Sequence, residues 1–242
     1  MEDKPEIVSY DAAQQAKLVN SIPAELELKF YNIFKHFGPK SKRIVDVGCG
    51  DGIICREAIN RGAVYALGID SYPNMINIAV QANKGYESRI DYHEAFIEDI
   101  KGDESYDVAV LSYLLNNARS PDQLISQCKG VASFLKKGGI AVVFNSNPFD
   151  TKGGDFSKYG FRKNVTGTKE GDKIIFDYRP VILEDIVNFY LSPATHEKAF
   201  KNAGFSDFRW EPLKLMEGAD EDYWREYFGR EHLPVIGMVA IK

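Results

Sequence analysis

Apolar positions along this chain follow two different periods. Between residues 41 and 145 short apolar runs, at about 43–47, 64–69, 89–94, 107–112 and 140–145, alternate with stretches whose apolar residues recur at steps of three and four. The runs predict strands and the stretches predict helices. One helix covers 53–61. A second is opened by Ser71 and Pro73 and runs through Met75, Ile76 and Ala79. A third, opened by Ser120-Pro121, puts Leu124, Ile125, Cys128, Val131, Ala132 and Leu135 on one face, and Lys136-Lys137 with Gly138-Gly139 are predicted to end it. Strand and helix in alternation imply a parallel sheet with helices on both faces.

The flanks read differently. Residues 1–40 are helical in pattern, with Tyr10-Asp11 opening one stretch. Pro23, Leu26, Phe30, Ile33, Phe34 and Phe37 form a second, closed by Gly38-Pro39. From 146 to 192 glycines punctuate the chain, Lys173 to Val181 alternates like a strand, and Ile186 to Leu191 is a further strand candidate. This segment reads as a β insertion. A helix opened by Ser192-Pro193 and closed by Gly204 follows, then strands at about 205–211 and 235–241. The expected architecture is one domain over 1–242: a helical cap (1–40), a core (41–145), the insertion (146–192), and a C-terminal helix with antiparallel strands (193–242).

Composition narrows the picture. With 242 residues, 44% of them hydrophobic, the chain can bury a sizeable core. Mean hydropathy is −0.30, and no apolar run approaches the twenty or so residues of a membrane span. The start, Met1-Glu2-Asp3-Lys4-Pro5, lacks a signal-peptide core, which leads us to expect a cytoplasmic protein. A net charge of −5 with scattered basic residues argues against a nucleic-acid substrate, and the lack of a span-length apolar run leads us to expect no membrane partner. Three cysteines without a C-x-x-C pair fit a reducing compartment. The four histidines show no metal-ligand spacing, so no metal is expected.

The candidate chemistry gathers at Asp46-Val47-Gly48-Cys49-Gly50-Asp51-Gly52. An apolar run breaks into alternating glycines and a helix follows, the geometry that brings backbone close to a ligand at a helix N-terminus. Asp70 ends the next apolar run, where an acid can accept hydrogen bonds from ribose hydroxyls. A dinucleotide fingerprint would need glycine at position 53, which is Ile53. The pattern of Asp46, three alternating glycines and Asp70 instead resembles the class I S-adenosylmethionine (SAM)-dependent methyltransferases. That resemblance implies a Rossmann-like, seven-stranded, mostly parallel α/β sheet.

It also implies site residues. Gly48, Cys49 and Gly50 would form the loop under the amino-acid end of SAM, and Asp46 would bond its ammonium directly or through water. Asp70 would take the ribose diol, with Ser71 beside it and Met75 packed on adenine. Phe96 and Ile97 would hold the ring edge, with Glu98 and Asp99 in reach of the amine or facing solvent. Leu111 and Ser112 would meet the methionine portion. Methyl transfer is an in-line displacement at an activated carbon, so positioning matters more than an acid or base. No catalytic residue stands out; Tyr113, Asn145 and Tyr10 are candidates. Tyr10, Tyr113, Asn145, Asn147, Tyr159 and Tyr190 are the candidates for binding the acceptor.

The motifs "NSNP", "KYGF" and "YLSPATHEKAFKNAGF" resemble a subgroup of small-molecule methyltransferases that includes the toxoflavin-pathway N-methyltransferases. The expected activity is methyl transfer from SAM, leaving S-adenosylhomocysteine (SAH), to nitrogen or oxygen of a small polar heterocycle, by a monomer or homodimer. A protein or tRNA modifier and a non-catalytic SAM- or SAH-binding regulator remain open, and a NAD-dependent oxidoreductase lies further off.

Overall fold

The computed structural model describes residues 23–179 and 185–242. The chain enters through helix α1 (Pro23–Phe34) and then alternates: β1 (Arg43–Val47), α2 (Ile53–Asn60), β2 (Tyr65–Asp70), α3 (Pro73–Gln81), β3 (Ile90–Glu94), β4 (Tyr106–Ser112), α4 (Pro121–Phe134) and β5 (Leu135–Ser146). The five strands pair in parallel, β1 between β2 and β4. After the insertion come α5 (Pro193–Asn202), β10 (Asp207–Glu211), α6 (Glu221–Phe228) and β11 (Val235–Ile241). The strand order is β10-β11-β5-β4-β1-β2-β3, and β11 runs antiparallel to both its neighbours. This is the seven-stranded, mostly parallel sheet that the pattern implied.

Alternation along the strands sends side chains to two cores. Ile44, Val108, Val110 and Val142 pack on one face with Leu28, Ile33 and Phe34 of α1 and with Ile54 and Ile59 of α2. Val45, Leu111, Ala141 and Val143 pack on the other with Leu124 and Val131 of α4 and Phe200 of α5. Each fully buried aliphatic side chain contributes about 1.5–3 kcal/mol. One boundary differs from the sequence reading. α4 stops at Phe134, and Lys136–Gly139 lie in β5. Leu135 is fully buried and extended, paired with Tyr106 on β4, so the sheet takes the residues that the helix-end chemistry pointed to.

The insertion is a second, antiparallel sheet of β6 (Gly154–Phe156), β7 (Phe161–Val165), β8 (Lys173–Asp177) and β9 (Ile186–Phe189), in the order β6-β7-β8-β9. Its strands are shorter than the pattern suggested, and two of them precede the segment that alternates most clearly. Two devices hold it over the core. Lys163 of β7 is buried, with Nζ 3.0 Å from Asp150 Oδ2, and it donates to the carbonyls of Asn147 and Pro234 at 3.1 Å. Burial pulls its pKa down and Asp150 opposes the shift. The second device is aromatic. Tyr159 stacks on Trp224 of α6 at 5.2 Å, and Tyr227 meets it edge-on at 5.0 Å. The sequence reading placed no helix at α6. It is eight residues long and charged, but Asp220 caps it by accepting the Tyr223 N–H at 3.0 Å.

Candidate functional site

β1 ends in a turn whose three glycines all have positive φ: +74° at Gly48, +55° at Gly50 and +77° at Gly52. The N–H groups of Gly48 and Cys49 donate to the carbonyl of Ile69 at 2.8 and 3.0 Å, which ties the turn to the end of β2. Gly50 N–H donates to Asp70 Oδ2 and Tyr72 N–H to Asp70 Oδ1, both at 2.9 Å. Asp70 thus clamps the two loops with one carboxylate. Burial raises its pKa, while the N–H groups of Tyr72, Gly50 and Ser71 pull the other way. Each oxygen keeps lone-pair capacity beyond the bond it accepts, and Asp70 lines a cavity.

That cavity, of about 340 Å³, opens at the C-terminal ends of β1, β2 and β4, where open α/β sheets bind ligands. Gly48, Cys49 and Gly50 form its floor, and Asp70, Ser71 and Met75 one wall. Phe96 and Ile97 come from the loop after β3, and Ser112 and Tyr113 from the end of β4. The sequence-derived residues on these four loops are therefore brought together.

Others are not. Asp46 is wholly buried behind the glycine turn, outside the cavity wall, where it accepts from the Cys55 thiol at 3.7 Å. Burial pushes its pKa up to about 7, against the opposing charge of Lys29. Direct contact with a ligand's ammonium is not what this geometry offers. Leu111 is fully buried in the core beneath α4 and does not line the cavity. Asn145 also lies outside the wall: Phe144 lines the cavity, and strand alternation turns the next residue away from it. Asn147 makes a turn, accepting the Phe149 N–H at 2.9 Å and donating to the Leu233 carbonyl at 2.8 Å. Tyr159 is committed to the aromatic cluster on α6, its hydroxyl bonded to the Tyr223 carbonyl. Tyr190 is buried outside the wall, its backbone bonded to Gly171 and Asp172. Tyr10 falls outside the described residues.

The cavity has walls that sequence reasoning did not find. Lys29 reaches it from α1, and Asp51 from the turn, where its Oδ1 accepts the Ile53 N–H at 3.1 Å. α4 presents Gln127, buried, with Oε1 unpartnered among the described residues. A polar residue inside the apolar stripe of that helix was the available signal. Gln123 beside it donates to Glu98 at 3.4 Å. Over the other end lies the small sheet, through Phe176, Tyr178 and Asn188. Tyr113 stands between the two ends. It holds φ +58°, unusual for a non-glycine residue, with its N–H on the Phe144 carbonyl at 2.8 Å and its ring edge-on to Phe144 at 5.4 Å. Such strain costs of order 1–3 kcal/mol and collects at functional sites.

These features suit SAM. Bare glycine backbone gives an amino-acid chain close approach, and Asp70 can accept from a diol. Met75 and Ile97 flank a slot for a flat ring, and the orphaned Oε1 of Gln127 and the carboxylate of Glu98 can accept from an amine at its edge. Among the described residues no group of His, Cys, Asp and Glu could hold a metal ion.

Comparison with known proteins agrees with this geometry. Residues 44–139 match a family model described as a methyltransferase domain. A Saccharophagus degradans ubiquinone biosynthesis O-methyltransferase is 32% identical over 111 residues, which is 44% of this chain and 45% of that protein. The matched stretch spans about half the length of the curated relatives. Among solved structures, a SAM-dependent methyltransferase from Mesorhizobium loti superposes with a TM-score of 0.64 at 20% identity, over 89% of this chain and 98% of that one. A phosphoethanolamine N-methyltransferase from Haemonchus contortus, in complex with phosphomonomethylethanolamine and S-adenosylhomocysteine, also reaches 0.64, at 16% identity, over 98% and 59%. Residues 44–139, built on the glycine turn and Asp70, thus match a methyltransferase domain, in a fold shared with SAM-dependent methyltransferases.

Proposed function

We propose that the protein transfers a methyl group from SAM to a nitrogen or oxygen atom of a small polar heterocyclic metabolite. One observation carries this reading: the cavity over the glycine turn is continuous with an aromatic, amide-bearing end roofed by the β6–β9 sheet. About 340 Å³ lies near the lower end of the range for ligand sites, about 300–1,000 Å³. A cavity of this size suits small molecules rather than a folded polymer.

Bound SAM supplies an electrophilic methyl group on a sulfonium. The protein's part is to fix geometry and exclude water. The glycine turn and Asp70 would set the donor's position, with Ser71, Met75, Phe96 and Ile97 around its ring. Asp46 would act from behind the turn, by holding it through Cys55. Ser112 and Tyr113 stand where donor and acceptor meet. The strained Tyr113 backbone aims its ring across the junction against Phe144, where its face can steady positive charge. Phe176, Tyr178 and Asn188 roof the acceptor. The cavity carboxylates Asp51, Asp70 and Glu98 stand on the donor's loops. An acceptor already nucleophilic near neutral pH, such as a heteroaromatic nitrogen, therefore fits best.

Oxygen is the second reading, favoured by the names of the curated relatives, which are O-methyltransferases. Among the described residues no helix is long and apolar enough to cross a membrane, and the three free cysteines are buried; a cytoplasmic monomer or homodimer remains our working assignment. Calorimetric titration with SAM, SAH and NAD tests the cofactor. Micromolar binding of SAM and SAH with no response to NAD is expected, followed by SAH release in a metabolite screen. Absence of SAM and SAH binding would remove the proposal.

A further inference from the structure

Leu115–Asn117 form a single 3₁₀ turn directly after Tyr113. This turn bridges the two ends of the cavity. Leu114, before it, leans on the glycine turn, where a Cβ at Gly48 would stand 3.3 Å from Leu114 Cδ1. Asn117, at its end, donates from Nδ2 to the Tyr113 carbonyl at 3.2 Å and accepts at Oδ1 from Asn188 Nδ2 of β9 at 3.2 Å. Its amide is thus spent in latching the roof to the core. Between these two contacts lies Asn116, which lines the cavity and is only 4% exposed. Its Oδ1 is buried without a hydrogen-bond partner among the described residues. A buried acceptor left in this state is costly. Here it lines the same cavity as the glycine turn and the aromatic roof.

We infer that Asn116 reads the acceptor, and that the acceptor presents a lactam or amidine edge: an N–H beside a C=O or an unprotonated ring nitrogen. A primary amide pairs with such an edge through two parallel hydrogen bonds, Oδ1 accepting from the N–H and Nδ2 donating to its neighbour. Aromatic residues of the same cavity, Tyr113, Phe144 and Phe176, suit the faces of a flat ring. The atom methylated is a different one on the same ring, because the edge held by Asn116 is occupied. The inference rests on the methyltransferase reading and deepens it by naming the acceptor's chemistry.

The test is calorimetric titration of the SAH-loaded protein with xanthine, uracil and 2-quinolone, each beside a derivative N-methylated along its lactam edge. The free-edge compounds should bind at least about tenfold more tightly than the blocked ones. Asn116→Ala should lose about tenfold or more of that affinity while SAH affinity stays unchanged. Asn116→Asp keeps the shape but loses the donor. It should weaken xanthine binding and strengthen binding of benzamidine, whose edge is all donors, an exchange that a purely structural role would not produce. Failure of every free-edge compound to bind, equal binding of free and blocked edges, or indifference to Asn116→Ala overturns the inference and leaves the methyltransferase reading standing. Loss of SAH affinity in Asn116→Ala assigns the amide to the cofactor and overturns it too. Failure of the parent protein to bind SAH would instead strike the reading beneath.

Discussion

Asp46 is a fully buried carboxyl group, and its burial should be visible as a pH dependence of stability. Its pKa in the folded protein is about 7, against the usual 3.8, because burial disfavours the charge more than Lys29 relieves it. The folded state therefore holds a proton between about pH 4 and pH 7 that the unfolded chain has released. This group's contribution is most favourable below pH 4, falls as pH rises to about 7, and is flat above. At about 1.4 kcal/mol per pH unit, the gap from 3.8 to about 7 amounts to about 4 kcal/mol. Asp46→Asn keeps the shape and an acceptor for the Cys55 thiol but cannot ionise.

The assay is thermal unfolding of parent and variant from pH 5 to pH 8. Subtracting one curve from the other cancels titration elsewhere in the fold, including the buried His196, whose pKa burial lowers. The parent should lose stability relative to Asp46→Asn as pH rises, with the difference levelling off above about pH 7. Parallel curves across the range would mean that Asp46 is not held protonated, and the account of a desolvated carboxyl behind the glycine turn would fail.

Three other perturbations probe separate parts of the structure. Asp70→Ala should weaken SAH binding by about 1–3 kcal/mol through one or two lost hydrogen bonds; calorimetry showing unchanged affinity in a folded variant would refute the ribose assignment. Gly52→Ala should lower the melting temperature sharply, because φ is +77° and a Cβ there would overlap the Tyr92 hydroxyl; removing that ring in a Tyr92→Ala background should restore part of the loss. Lys163→Met should cost about 3–5 kcal/mol by leaving Asp150 buried and unpaired, and adding Asp150→Asn should recover much of it in chemical denaturation.

How much of this was legible beforehand follows from where each signal resides. The core strands, the glycine turn and Asp70 are local: an apolar run, a backbone conformation only glycine adopts readily and an acid at a strand end are written in consecutive residues. The sequence pattern therefore brought Gly48, Gly50 and Asp70 to one place, and the family resemblance added Met75 and Ile97. The acceptor end is not local. Asn188 reaches the cavity because β9 folds back over the core, and Asn117 receives it across 71 residues of chain. No spacing rule connects the two. Asn145 drew attention because it ends a strand at the ligand-binding edge, yet the face it presents is decided by register. Phe144 pairs with Gly237 and Asn145 with Ile236, and period-two alternation then gives the cavity the phenylalanine and withholds the asparagine. Asp46 shows the same effect in depth. Its place in the motif suggested contact with a ligand, whereas packing of α2 puts Cys55 against it and seals it behind the turn. What the motif residues share is the loop they build, and which of them reach the ligand depends on packing that no local pattern encodes.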